Sequence, residues 1–83
     1  MKSVALELNK EGNEYYSQGS YVNAIKKYIR TIKVIENARL KNEEEEIEIG
    51  RVLVKSYHNM AQSYLKIGRY GRAIWCARKV LER

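Results

Sequence analysis

The chain has 83 residues, 45% of them hydrophobic and 31% charged, enough for one small core and too few for a second. Lys and Arg number 16 against 10 Asp and Glu, so the net charge is +6 and acidic partners are favoured. One cysteine, Cys76, rules out an internal disulfide, and with His58 the sole histidine a structural zinc site is ruled out too.

Proline is absent while Glu, Lys, Leu and Ile abound, so helices are expected, with their ends at glycines. The first helix is placed at about 3–18, with Leu8, Gly12 and Tyr15 on its apolar side. Gly19 supplies the left-handed cap that ends it. The second helix, at about 21–40, carries Tyr21, Ala24, Ile25, Tyr28, Ile32 and Ile35 at helical spacing. Residues 37–48 are highly charged but hold no Pro or Gly before the third helix gets under way. Helix is therefore expected to run on through them, with a break near Lys41 and Asn42. Asn42 is the N-cap of the third helix, Glu45 occupies the capping-box position, and Glu43 to Glu46 sit near the positive end of that helix dipole. The third helix, about 43–67, presents Val52, Leu53, Tyr57, Met60, Ala61 and Tyr64, and Gly50 within it costs about 1 kcal/mol relative to alanine. After Gly68 the fourth helix, about 70–82, presents Tyr70, Ala73, Ile74, Ala77, Val80 and Leu81.

Sliding the chain along itself by 49 positions pairs Tyr15 with Tyr64, Gly19 with Gly68, Tyr21 with Tyr70, Ala24 with Ala73 and Ile25 with Ile74, and sets Gly12 on Ala61. Identities at Gly, Tyr and Ala with the same internal spacing mark a repeated helix–turn–helix unit. Each unit is expected to be an antiparallel hairpin. Small residues, Gly12 with Ala24 and Ala61 with Ala73, are expected to let its two helices approach closely.

These residues resemble the tetratricopeptide repeat, a helical hairpin of about 34 residues with small, Tyr, Gly, Tyr and Ala positions at fixed spacings. The second unit carries the resemblance through Tyr57, Asn59, Met60, Ala61, Tyr64, Gly68, Tyr70, Ala73 and Ile74, the first through Leu8, Gly12, Asn13, Tyr15, Gly19, Tyr21, Ala24, Ile25 and Tyr28. It implies an all-α domain over 1–83, with repeat one at about 3–40 and repeat two at about 43–83. The extra residues between units, with elongated central helices, resemble the repeat domains of large immunophilin-type co-chaperones. In those proteins the inner groove holds the Glu-Glu-Val-Asp tail of cytosolic heat-shock chaperones in a carboxylate clamp. By position, the two clamp asparagines correspond to Asn13 and Asn59; the clamp lysine falls at Asn9, a departure, with Lys10 adjacent but about 100° further round the helix. The family's remaining clamp cations come from a third unit.

The repeat register lines the groove with Asn9, Asn13, Tyr16 and Ser17 from the first helix and Lys55, His58, Asn59, Gln62 and Lys66 from the third, polar, basic and without carboxylates. Amides can bond an extended peptide or its terminal carboxylate, and Lys10, Lys55 and Lys66 add charge. A plain solvated helix face has the same composition. His58 has no second histidine and the chain no aspartate, so a surface hydrogen-bonding role is expected. Consecutive Glu43 to Glu46 point in different directions and cannot converge on one ion. Cys76, next to Trp75, is expected to be a small buried apolar residue. No convergent nucleophile, base and acid, and no phosphate loop, is present, so neither an enzyme nor a cofactor is expected.

Two other readings stand beside peptide binding. From Gly50 on, eight cations face Glu82 alone, a basic half that can bind RNA by phosphate contact and stacking, although most of its tyrosines belong to the repeat. Repeat arrays usually need about three units and a polar cap. Ala73, Ala77, Val80 and Leu81 are therefore expected to lie uncovered, in a fragment of a longer co-chaperone or in a homodimer with the central helices exchanged. No apolar run can cross a bilayer and residues 1–8 lack a signal-peptide layout, so a soluble cytoplasmic location is expected.

Overall fold

A computed structural model of the chain describes residues 2–82; Arg83, counted above in the second repeat and among its cations, lies outside the described residues. They form four helices, α1 (Lys2–Ser17), α2 (Tyr21–Glu36), α3 (Glu43–Lys66) and α4 (Tyr70–Leu81), with no strand among them. α1 pairs with α2 and α3 with α4, and α3 also packs on α2 and α1, so α3 alone touches the other three.

The two turns are the same structure twice. Gly19 and Gly68 have φ of 79° and 78°, the left-handed region that a Cβ disfavours. Ser20 N–H donates to Tyr15 O at 2.9 Å and Gly19 N–H to Tyr16 O at 3.0 Å; Arg69 to Tyr64 at 2.8 Å and Gly68 to Leu65 at 3.1 Å repeat the pattern. This double bond closes the orphan carbonyls at a helix end. Across the first turn, Gly12 meets Tyr28 and Tyr16 meets Tyr21, so chain numbers rise on one helix as they fall on the other and the hairpin is antiparallel. Between α1 and α3, Asn9 pairs with Ser56 and Asn13 with Asn59, so these two run parallel.

The link between hairpins differs from expectation. α2 stops at Glu36, not near residue 40, and is no longer than α1, both having 16 residues; only α3, with 24, is elongated. Asn37 does without glycine or proline what those residues would do. Its side-chain amide donates to Lys33 O at 2.9 Å while its own N–H reaches the same oxygen at 3.2 Å, and Ala38 N–H tightens back to Ile35 O at 3.1 Å. A short amide that competes for the backbone ends a helix in this way. At the other side of the link Asn42 is the N-cap as expected, its Oδ1 accepting from Glu45 N–H at 2.9 Å.

The core joins Ala5 of α1, Ala24, Ile25, Tyr28, Ile32 and Ile35 of α2, Ile49 to Ala61 of α3 at helical spacing, and Cys76 of α4. At Gly12 the absent side chain makes room for Tyr28. A Cβ on Gly12 would stand 2.7 Å from Cε1 and 2.9 Å from Cδ1 of Tyr28, so the space belongs to the Tyr28 ring, which is fully buried. The second hairpin has Ala61 and Ala77 at these two positions and is less filled. Ile25 is buried, whereas its repeat equivalent Ile74 is 56% exposed, because no helix among the described residues lies over that side of α4. Of the residues expected to be uncovered there, Leu81 and Ala77 are exposed and Val80 half-buried, but Ala73 is buried against α3.

Gly12→Ala should lower stability by about 1–2 kcal/mol despite a helix-propensity gain of about 1 kcal/mol, because the buried ring cannot retreat. Gly71→Ala, where an added Cβ meets nothing within 4 Å, should be neutral or stabilising by up to about 1 kcal/mol. Urea midpoints of the two variants against the parent chain make the comparison.

Candidate functional site

The first and third helices run side by side, and their facing sides carry asparagines because α1 presents residues 9 and 13 one turn apart and α3 presents 56 and 59 opposite them. Ser56 Oγ donates to Asn9 Oδ1 at 2.8 Å. One turn on, Asn59 Nδ2 donates to Asn13 Oδ1 at 3.0 Å. The same Oδ1 accepts a second hydrogen bond, at 2.7 Å, from the hydroxyl of Tyr28, whose ring passes beneath α1 over Gly12. Three helices thus meet at one amide oxygen.

The orientation of Asn13 follows. Its carbonyl oxygen has two lone pairs and both are engaged, so what it turns outward is the NH2 with its two donors. Asn13 is exposed and Asn59 half-buried, so these donors stand at the surface. Lys10, Lys55 and Lys66 are all exposed on the flanks of this face. The arrangement offers fixed amide donors in a positive surround, suited to a carboxylate or to backbone carbonyls of an extended chain.

Sequence reasoning placed Asn9, Asn13 and Asn59 together, and they are together, although bonded to Ser56, Tyr28 and each other rather than free. It placed His58 and Gln62 with them, and Gln62 follows Asn59 by one turn of α3. Both line an apolar hollow between α3 and α4 with Ala61, Leu65 and Ile74. One residue along a helix is about 100° of rotation, so His58 faces away from its neighbour Asn59. Lys55 sits between the two sides, also bordering a second hollow with Ile47, Gly50 and Val54. Tyr16 packs edge-on against Tyr21, centroids 5.5 Å apart, at the closed end of the first hairpin. Ser17 Oγ donates to Glu14 O at 2.9 Å and finishes α1. Glu48 stands one heptad before Lys55 on the same line of α3.

Ser56 and Tyr28 were the members sequence reasoning missed. Tyr28 falls at an apolar helical position and reads as packing; only its burial beside two amides shows the hydroxyl as a contributor. Burial pushes its pKa up to about 12, a hydrogen bond from Asn59 opposes this, and neighbouring Tyr16 adds to it. Burial likewise pushes the Cys76 thiol up to about 11, with Arg72 opposing, which makes it a poor nucleophile.

No family model and no solved structure matches the chain. Its reading therefore rests on its own residues. Among the described residues no three His, Cys, Asp or Glu side chains come together as a metal ion requires, and no helix is long and apolar enough to cross a membrane.

Both raised groups resist ionisation more in the folded than in the unfolded chain. The stability they contribute is full below their ordinary pKa, 9.0 for the thiol and 10.0 for the phenol, and is lost as pH rises through about 11 and about 12. Urea midpoints measured across this alkaline range should fall in the parent chain. Cys76→Ala should flatten the earlier part of the fall and Tyr28→Phe the later part.

Proposed function

We propose that the chain is a tetratricopeptide-type interaction module that binds an extended acidic peptide by its free C-terminal carboxylate, along the α1–α3 face. The observation that carries this reading is the orientation of the Asn13 amide. Its oxygen is held by Tyr28 and Asn59, so its two N–H donors point outward beside Asn59 without an ordering cost at the moment of binding. Lys10, Lys55 and Lys66 supply the charge that draws a carboxylate in, and Asn9 extends the amide row one turn back towards the start of α1.

The repeated turn geometry, the 49-residue offset and the parallel first helices of the two hairpins support two repeat units forming one groove. Within that reading, the Glu-Glu-Val-Asp tail of a cytosolic heat-shock chaperone is the ligand that the resemblance implies. It matches the donors in kind, having a terminal carboxylate, a second carboxylate beside it and an extended backbone. Asn9 in place of a clamp lysine, and Glu48 at one end of the face, weaken the grip relative to a complete clamp.

Titration of a labelled Glu-Glu-Val-Asp peptide beside its C-terminally amidated twin, at low and at high salt, tests the proposal. Preference for the free carboxylate at both salts is expected, and Asn59→Ala, which removes a donor and releases the Asn13 amide, should weaken binding about tenfold, or about 1.4 kcal/mol. Equal binding of the two peptides that vanishes with salt would reduce the face to a generic basic surface and favour phosphate contacts instead.

A further inference from the structure

α3 has two apolar faces. One, carrying Ile49, Val52, Ser56 and Met60, is buried in the core. The other lies on the opposite side of the helix, where Ile47, Val54 and Leu65 stand in line with Ala61, which is itself buried in the core beside α4. On that side Ile47 is 51% exposed and Leu65 44%. α4 has 12 residues against 24 in α3 and covers only its C-terminal half. The N-terminal half is left as an uncovered ridge bearing Ile47, which also borders the hollow lined by Gly50, Val54 and Val80. Beside the C-terminal half lies a hollow of about 360 Å³ walled by Ala61, Leu65, Ala73, Ile74, Ala77 and Leu81. The hollow exists because Ala77 and Ala61 stand where the first hairpin has Tyr28 and Gly12; there the tyrosine ring fills the corresponding space.

We propose that two copies of this chain associate about a two-fold axis at Val54, α3 against antiparallel α3, with Ile47 of each copy seated in the α3–α4 hollow of the other. The occupant is identified as a second copy by symmetry in the pattern. Ile47 and Ala61 each lie seven residues from Val54, about 10 Å along the helix at 1.5 Å per residue, so reversing α3 about Val54 lays ridge on hollow twice. Gly50 and His58 each lie four residues from Val54, and the missing side chain of one leaves room for the imidazole of the other. A two-fold interface requires this self-complementarity.

Charge agrees. Glu43, Glu44, Glu45 and Glu46 open α3, Lys66 ends it, and Arg69 follows as the N-cap of α4. Antiparallel pairing sets each acidic end against the other copy's basic end, and also opposes the helix dipoles favourably. Parallel pairing would set like charge on like charge. The Ile47 seat lies on the α4 side of α3, away from the Asn13–Asn59 face, and Lys66, which also draws the peptide, is shared by the two surfaces.

Sedimentation equilibrium of the full chain over a wide micromolar range should show a reversible rise from the 9.8 kDa monomer to twice that mass. Ile47→Glu should raise the dimer dissociation constant at least about tenfold while leaving the helical circular dichroism unchanged, because Ile47 is outside the core. Two charge variants separate a specific interface from general stickiness. Glu43→Lys with Glu46→Lys, and Lys66→Glu with Arg69→Glu, should each be monomeric alone and should pair with one another when mixed. A parent chain that stays monomeric throughout, a dimer indifferent to Ile47→Glu, or swapped variants that fail to pair would each overturn the proposal.

Discussion

Three helices of this protein are tied to one atom, the side-chain oxygen of Asn13. A phenol buried as completely as Tyr28 must place its hydroxyl on a partner or forfeit the hydrogen bond it had with water, a loss of about 1–3 kcal/mol. The partner within reach is an amide on the neighbouring helix, and that amide is at the same time bonded to Asn59 on a third. The contact fixes how far α1 slides along both α2 and α3. It also requires that nothing larger than hydrogen project from residue 12, since the ring lies where a Cβ would be. Register, glycine and tyrosine form a single constraint, and among the described residues no buried side-chain polar atom of the fold is left without a partner.

The surface chemistry on the α1 side follows from this constraint. An asparagine free to rotate would offer donor or acceptor equally; one whose oxygen is held twice offers only donors. A packing requirement inside the hairpin is thereby converted into a polarity outside it. The second hairpin shows what happens when the constraint is lifted. Its turn is the same to within a degree of φ at the glycine, yet alanines replace the glycine–tyrosine pair, the space is not filled from within, and an apolar hollow opens on the flank of α3 and α4. The two proposals, for a peptide on one face and a second copy on another, arise from the same pair of repeat positions filled in opposite ways.

Much of the fold could be read from residues. The turns were legible because left-handed glycines are a local backbone requirement, and Asn42 because an N-cap uses a side chain and a backbone N–H three residues on. The end of α2 was not, because the search was for glycine and proline, whereas Asn37 ends the helix by competing for the Lys33 carbonyl. In the site, Asn13 and Asn59 were placed together by repeat register. Their bond to Tyr28 was hidden, since an aromatic at an apolar helical position is accounted for by its ring and the hydroxyl matters only once its surroundings are known. His58 and Gln62 were read as groove residues from their polarity, which does not reveal that both also border the apolar hollow between α3 and α4.

The central claim is that Tyr28 and Asn59, on different helices, act through one oxygen of Asn13. Cycles of Tyr28→Phe and Asn59→Ala, run with Asn13 present and again with Asn13→Ala, and followed by equilibrium urea unfolding, separate coupling through that oxygen from the direct Tyr28–Asn59 bond. A coupling of at least about 0.5 kcal/mol is expected with Asn13 present, falling when Asn13 is replaced. Strict additivity would contradict it and would reduce the three-helix junction to two unrelated contacts.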